Sequence, residues 1–229
     1  FMSTQMLSRD GIRHIIAYYT LTENFSPATH GSINGALWTM GVIFQFYLIA
    51  PFLYKAVRKN WLVSAIISIL FTIISRITIV RYLHAMGVSD LSVFFVYERQ
   101  VCSSLDNFVL GMTAAAFWKN MKKHIPYPCL KLGLPVSLGS AALILVWIFY
   151  YHNHSLYGIT AVGYPAHSIL ALLLCILLIG FSILPEINFL FCHPLYFVAR
   201  NQYGIYLWHM PIIMILQANS PLFHAMSQQ

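Results

Sequence analysis

Long apolar stretches, each bounded by polar or basic residues, follow one another along most of the chain. A stretch needs about 20 mainly apolar residues to cross the hydrocarbon core as an α-helix. By this measure the predicted spans lie near residues 37–57, 61–83, 101–118, 131–151, 164–184 and 203–218. The pattern therefore predicts an all-α, polytopic transmembrane helix bundle with about six spans in this chain.

Transmembrane strands do not fit these stretches, because barrel strands alternate apolar and polar residues. The runs AALILVWIF and ILALLLCILLIGFSI show no such alternation. Composition points the same way, since 59% of the residues are hydrophobic and 8% are charged. Soluble proteins have about 45–50% apolar and about 25% charged residues. We therefore expect an integral membrane protein surrounded by lipid.

The net charge of +7 raises the possibility of nucleic-acid binding, but the positions of the basic residues argue against it. Eight of the 13 Lys and Arg residues lie in the segments 55–60, 119–131 and 185–202, which all fall on one side of the predicted spans. The positive-inside rule makes these segments cytoplasmic. The lead-in at residues 1–36 is then extracytoplasmic or interfacial. We predict no nucleic-acid partner.

No internal repeat or long linker divides the chain, so we predict a single membrane domain over residues 1–229. The four cysteines form no CxxC pair and lie in or beside apolar stretches, where they resemble small hydrophobic residues. His152 and His154 have no carboxylate or third histidine nearby in the sequence. We therefore predict no metal site.

The segment LWTMGVIFQFYLIAP contains the first candidate site. Trp38 and Gln45 fall on one face of a helix at this spacing. Pro51 deprives the carbonyl of Tyr47 of its helical partner, which leaves a bare acceptor inside the span. Spacing alone favours a structural interpretation, in which a neighbouring helix absorbs the kink and Gln45 forms an interhelical hydrogen bond.

The segment NQYGIYLWHMP also contains a proline that frees a backbone carbonyl within a predicted span. Tyr206 and His209 are one turn apart, and Pro211 frees the carbonyl of Leu207. An ionisable residue within a span is a candidate functional residue. A neutral, hydrogen-bonded core histidine fits the spacing equally well, so both interpretations stay open at this point.

Two buried charges form the third candidate site. Arg76 and Asp106 each lie inside a predicted span, a few residues from its outer end. Their matched depth predicts a cross-helix ion pair, for which a structural role is favoured. Gly111 and Ala115 have the small-xxx-small spacing that allows close helix approach.

Three segments, taken in order, resemble the acyltransferase 3 family of membrane O-acyltransferases. HGSINGALWTMGVIFQFYLIAPFL is similar to the family's stretch of Trp, Ser or Thr, a small residue, then QFYLL and Pro. LDNFVLGMTAA is similar to its FxLGM segment, and FVARNQYGIYLWHMP to its late motif of Tyr, His and Pro. Three segments in the expected order are more specific than any one of them.

The resemblance implies transfer of an acyl group, typically acetyl, from cytoplasmic acyl-CoA to a sugar hydroxyl. The acceptor would be an extracytoplasmic glycan or lipid-linked sugar of the cell envelope, and the protein would lie in the bacterial inner membrane. No metal is implied. The residues that match the family's motifs are candidates for the substrate pathway or for substrate contact: Trp38, Gln45, Tyr47, Tyr203, Tyr206 and His209.

Two departures from the family's pattern limit these assignments. Ile43 stands where the family often has a Glu. The family's catalytic His follows an Arg in a first span, and we expect it upstream of residue 1. Aligning RDGIR with that span would place Asn24 at the His position, but too few residues then separate it from Trp38. Residues 1–229 alone are therefore expected to be inactive.

Two other functions compete with the acyltransferase. Spans interrupted by proline and buried polar residues are also typical of a transporter or flippase, although no inverted repeat accompanies them here. A non-catalytic membrane subunit would resemble an enzyme that lacks its base. Consumption of acyl-CoA separates the enzyme from both alternatives.

Overall fold

The computed structural model describes residues 9–32, 34–35, 37–88, 91–124, 129–153, 163–184 and 192–219. Within these ranges every regular element is helical, which confirms the predicted all-α class. The helices are α1 (Arg9–Tyr19), α2 (Trp38–Lys59), α3 (Trp61–Ala85), α4 (Leu91–Glu98), α5 (Leu105–Met121), α6 (Leu130–Asn153), α7 (Gly163–Ile183) and α8 (Cys192–Asn219). Short 3-10 turns lie at Glu23–Phe25 and Val101–Ser103.

Four helices in the described ranges are long and apolar enough to cross a membrane. They are Trp38–Lys59, Trp61–Ala85, Leu130–Tyr151 and Pro165–Ile183. The mean hydropathies of their most apolar segments are 1.5, 2.2, 2.1 and 2.5, in that order. Many large apolar side chains on them are exposed, including Phe52 at 70% and Phe149 at 70%. Lipid, rather than water, is the solvent that suits such surfaces. The protein is an integral membrane protein.

The other two predicted spans also coincide with helices, but with different lengths. α5 has 17 residues and is shorter than a typical span. α8 has 28 residues and begins at Cys192, well before the predicted start near residue 203. Arg200 and Asn201 indicated a loop in the sequence, whereas both lie inside this helix. Polar residues beside an apolar stretch therefore do not show where a helix begins, because the helix can continue through them.

The chain divides into two compact units. The terminal unit comprises residues 1–41 and 188–229, and the central unit comprises residues 42–187. Helix α2 begins in the first unit and continues in the second. The single membrane domain over residues 1–229 stays a prediction.

Glycines bring α6 and α7 together in the central unit. A Cβ on Gly180 would lie 2.7 Å from Ser137 Oγ, and one on Gly133 would lie 2.9 Å from a Leu184 methyl group. The close approach expected at Gly111 was wrong, because a Cβ there would meet no described atom within 4 Å. Spacing identifies a small residue but not the surface that packs on it.

A tight turn after α1 shapes the terminal unit. Leu21 adopts a left-handed conformation at φ 56, and the amide of Thr22 donates to the Ala17 carbonyl at 2.9 Å. The chain reverses there and packs against the start of α2. A Cβ on Gly41 would lie 2.7 Å from Asn24 Oδ1 and 3.0 Å from the Leu21 carbonyl oxygen. Only glycine allows this approach.

Candidate functional site

The start of α2 and the middle of α8 meet in the terminal unit, and a hydroxyl pair joins them. Thr39 Oγ1 donates a hydrogen bond to Tyr206 Oη at 2.8 Å. Both side chains are half-buried. The contact joins the region of the first predicted motif to that of the last, across most of the sequence. It fixes the ring of Tyr206 beside the first turn of α2.

The carbonyl that Pro211 frees is satisfied nearby. Asn34 Nδ2 donates to the Leu207 carbonyl oxygen at 3.1 Å. Proline has no N–H to occupy this acceptor, so a side chain from elsewhere must do so in a dry environment. The Tyr18 hydroxyl bonds in turn to the Asn34 carbonyl at 3.4 Å. The segment before α2 thus holds the proline-interrupted turn of α8 in place.

His209 lies one turn after Tyr206 and contacts its backbone. The rings of Tyr206 and His209 have centroids 5.3 Å apart. Nδ1 of His209 also forms a very short contact with the Tyr206 carbonyl oxygen. A carbonyl oxygen can only accept a hydrogen bond, so in the neutral ring the proton lies on Nδ1 and Nε2 is an acceptor. His209 is therefore oriented to receive a hydrogen bond through Nε2.

Trp38 begins α2 and packs near a histidine that the sequence did not single out. The ring centroids of His30 and Trp38 are 6.1 Å apart, with planes tilted by 32°. His14 Nδ1 contacts the Ser32 hydroxyl at 2.7 Å on the same turn-rich segment. His30, Asn34 and Thr39 were not predicted from the sequence. The only available signal was their position just before or inside the Trp38 motif.

Gln45 and Tyr47, the other members of the first motif, belong to the central unit. Gln45 is half-buried, whereas the side chain of Tyr47 is 67% exposed. Phe46 between them is buried and stacks on Phe108 with a centroid distance of 4.0 Å. α2 continues through Pro51 without a break. The structure thus assigns Trp38, Tyr206 and His209 to one unit and these two residues to the other.

A cavity of about 220 Å³ lies within the terminal unit. Its lining includes Glu23, Tyr18, Tyr19 and Tyr203. Glu23 is 0% exposed, and neither carboxyl oxygen has a hydrogen-bond partner among the described residues. Burial raises the pKa of Glu23, and the backbone amide of the same residue partly opposes that shift. In the sequence Glu23 lies in a polar lead-in segment, and no local pattern there predicts that its side chain is buried.

A buried polar cluster occupies the central unit around Arg76 and Asp106. Arg76 donates to the Ser103 carbonyl at 3.0 Å from Nε and at 2.6 Å from Nη2. Asp106 Oδ2 accepts a very short hydrogen bond from the Ser168 hydroxyl, and its backbone amide donates to Thr72 Oγ1 at 3.2 Å. The Asp106 charge acts electrostatically on Arg76. A direct ion pair between them stays a prediction.

No three His, Cys, Asp or Glu residues stand close enough to hold a metal ion within the described ranges. Polar groups with the chemistry to contact a substrate instead lie in the terminal unit. They are the Tyr206 and His209 turn, Trp38 with His30, and the cavity at Glu23.

Comparison with protein families gives one match that covers nearly the whole chain. The acyltransferase 3 model, described as an acyltransferase domain, matches residues 4–226. The match includes all the candidate residues of both units. Neither the curated proteins nor the solved structures yield a match.

Proposed function

Because the chain belongs to the acyltransferase 3 family, we propose that it acts in transfer of an acetyl group from acetyl-CoA to a sugar. The acceptor is a hydroxyl of an extracytoplasmic glycan or lipid-linked sugar, and the protein lies in the bacterial inner membrane. The observation that carries the proposal is the family match over residues 4–226, which includes the Tyr206 and His209 turn. That turn is held by Asn34 and Thr39.

The reaction needs a base, an attacking oxygen and a leaving thiol. A general base removes the proton from the acceptor hydroxyl. The oxygen then attacks the thioester carbonyl carbon, the carbon–sulfur bond breaks, and the CoA thiolate takes up the proton. No metal is needed for this step.

His209 and Tyr206 position the substrate in this proposal. The proton on His209 Nδ1 is directed to the Tyr206 carbonyl, so Nε2 accepts a hydrogen bond from a substrate hydroxyl. Tyr206 stays in register because Thr39 bonds to its oxygen. Trp38, Gln45 and Tyr47 are proposed to line the substrate pathway on the evidence of their motif alone.

The test uses the full-length protein in membrane vesicles with labelled acetyl-CoA. We expect label to appear in an envelope sugar with release of CoA, and His209→Ala to lower kcat/KM by about 100-fold, as misplacement of a substrate does. His124→Ala is the matched control, because His124 is exposed in the turn that follows α5. Substrate movement across the membrane without CoA consumption would instead identify a transporter.

A further inference from the structure

Helices α2 and α5 end in two basic clusters that have the same spacing of cations. The first cluster has the sequence KAVRK, and the second has the sequence KNMKK, which continues from the last turn of α5 into the turn that follows. The six cations, all exposed, are Lys55, Arg58, Lys59, Lys119, Lys122 and Lys123. In each cluster the second and third cations follow the first by three and four residues, a spacing that groups side chains on one side of a helical turn.

The packing of the central unit brings the two basic clusters to the same end. Phe46 of α2 stacks on Phe108 of α5. Trp61, which begins α3, lies against Phe117 of α5 with ring centroids 5.5 Å apart. The chain therefore runs in the same direction along α2 as along α5, from the first contact to the second. The last cation of the first cluster and the first cation of the second each lie two residues from the second contact.

No carboxylate is available in these segments to offset the six positive charges. Residues 42–75 and 107–131 contain no Asp or Glu. The buried Asp106 lies at the opposite end of α5, where its amide donates to Thr72 of α3 at 3.2 Å. The end of the central unit with the basic clusters is therefore strongly positive. The positive-inside rule accounts for cations on this side of the membrane, but not for their grouping around one aromatic contact.

An exposed apolar stripe leads along α2 to the first basic cluster. Leu48 is 61% exposed and Phe52 is 70% exposed. Lys55 and Lys59 follow them on the same face of the helix, at seven and eleven residues from Leu48. On the neighbouring helix α3, Leu62 is also exposed. The surface thus changes from apolar to positive over about two turns, as the membrane does between its hydrocarbon core and its head groups.

Aromatic side chains mark the level at which this change occurs. The guanidinium carbon of Arg58 lies 5.8 Å from the ring centre of Tyr54, within the range of a cation–π contact. Trp61 lies at the same end, in contact with Phe117. Tyrosine and tryptophan are enriched where a membrane meets water, because they combine an apolar ring with a polar group.

We propose that the two basic clusters together bind the phosphate head group of an anionic phospholipid, whose acyl chains lie along the apolar stripe of α2. The positive-inside rule makes this the cytoplasmic leaflet. The stems of Lys and Arg pack on apolar surface while their charged ends reach the head group. Basic sites between spans on this side of a membrane suit anionic head groups. Coenzyme A also carries phosphates, but its acetyl form has no long chain to cover the stripe.

The test compares phosphatidylglycerol with phosphatidylcholine that has the same acyl chains. Native mass spectrometry of the detergent-solubilised full-length protein, without any acyl donor, gives the Kd of each lipid. We expect tighter binding of phosphatidylglycerol. The double variant Lys59→Gln with Lys119→Gln removes one cation from each cluster and should weaken this binding about tenfold, while binding of phosphatidylcholine stays the same.

Two control variants separate charge at this site from charge elsewhere. Lys59→Arg with Lys119→Arg keeps both cations and should keep the preference for phosphatidylglycerol. Arg81→Gln with Arg99→Gln removes two exposed cations at the opposite end of α3 and α5 and should leave lipid binding unchanged. The Tm of each variant without added lipid shows that it is folded. Phe52→Ala leaves all the cations in place and should weaken binding of both lipids, because the acyl chains lose contact with the stripe.

Three results would overturn the proposal. One is equal affinity of the wild type for the two lipids, and another is an equal loss in the two glutamine double variants. The third is a higher KM for acetyl-CoA in Lys59→Gln with Lys119→Gln while lipid binding is unchanged, which would assign the clusters to the phosphates of the acyl donor. The proposal goes beyond the proposed function, and a failure of acetyl transfer would leave it standing, because lipid binding is measured without a donor.

Discussion

Two fully buried carboxyl groups, one in each unit, have opposite surroundings. Asp106 in the central unit and Glu23 in the terminal unit are both 0% exposed. Asp106 accepts hydrogen bonds from the Ser168 hydroxyl and the Asn107 amide, and it acts electrostatically on Arg76. The Glu23 carboxyl oxygens have no partner within the described ranges, although the residue lines a cavity. Burial alone therefore does not show whether a carboxyl group has hydrogen-bond partners.

The difference follows from what each group does for the fold. A satisfied polar network in a dry environment fixes the geometry of the helices that contribute to it. The backbone amide of Asp106 donates to Thr72 on α3, and its side chain accepts from Ser168 on α7, so removing the side chain should loosen the contact with α7. An unsatisfied buried group contributes no such restraint and lowers stability. Glu23 fits this second description.

The largest expected effect is that of Asp106→Leu. The substitution removes the acceptor of the Ser168 hydroxyl and the charge that acts on the buried Arg76. Leaving a buried hydrogen-bond partner unsatisfied costs about 1–3 kcal/mol, and more when the group is charged. We expect a large fall in Tm of the detergent-solubilised protein. Asn107→Ala, at the exposed neighbouring side chain, should change stability by no more than about 0.5 kcal/mol. Equal Tm values for the two variants would contradict a structural role for Asp106.

Ser168→Ala tests one contact of the same cluster. The variant deletes the hydroxyl that donates to Asp106 Oδ2, and a hydrogen bond to a charged group contributes about 1.5–3 kcal/mol. Ser182→Ala is its matched control on α7, since the Ser182 hydroxyl is exposed and bonds to the Leu178 carbonyl of its own helix at 2.8 Å. Thermal unfolding of both variants gives the difference. A smaller loss of stability for Ser168→Ala than for Ser182→Ala would contradict a stabilising role for the hydrogen bond between Ser168 and Asp106.

Gly41→Ala and Gly111→Ala compare the packing of the two units. A methyl group at Gly41 would lie 2.7 Å from Asn24 Oδ1, while one at Gly111 would meet no described atom within 4 Å. Overpacking costs about 1–3 kcal/mol, whereas alanine in an open helix position gains up to about 1 kcal/mol over glycine. The Tm should fall for Gly41→Ala and rise or stay constant for Gly111→Ala. The opposite order would show that the turn at Glu23 does not depend on this approach.

The helices, and several polar groups in them that require hydrogen-bond partners, could be predicted from the sequence, because hydropathy and proline positions are local signals. Asp106 lies in an apolar stretch, so its need for partners was predictable, and Pro211 pointed to the bare carbonyl of Leu207. The donor for that carbonyl, Asn34, lies 173 residues away, and no local pattern links the two. Ser168 likewise resembles any other serine in an apolar helix.

The burial of Glu23 could not be predicted from the sequence for a different reason. It lies in a segment rich in turn-forming residues, where a glutamate is usually solvated. Its burial arises because Leu21 and Gly41 bring the turn against α2, and neither residue has a pattern that signals this contact. Local patterns show which groups require hydrogen-bond partners. Only the tertiary packing shows which groups are buried without a partner.

The smallest expected effect is a pH-dependent difference between Glu23→Gln and the wild type. Burial raises the Glu23 pKa above its ordinary value of 4.5, so the folded protein holds a proton that the unfolded chain has released. The stabilisation is complete below the unfolded pKa and is lost as pH rises through the folded pKa. The Tm of the wild type should therefore decline across this window relative to that of Glu23→Gln, which cannot ionise. Thermal unfolding of both proteins between pH 4 and pH 8, at steps of about half a unit, measures the difference.

Glu98→Gln is the comparison variant for this measurement, because it removes one negative charge from the central unit, where Glu98 acts electrostatically on Arg76 and His167. Its profile describes the central unit and is compared with the profile of Glu23→Gln. A Glu23 profile that rises with pH would mean that the buried group is held as a carboxylate by a positive partner. Asp106 and Glu23 would then follow one rule, and the contrast between the two units would disappear.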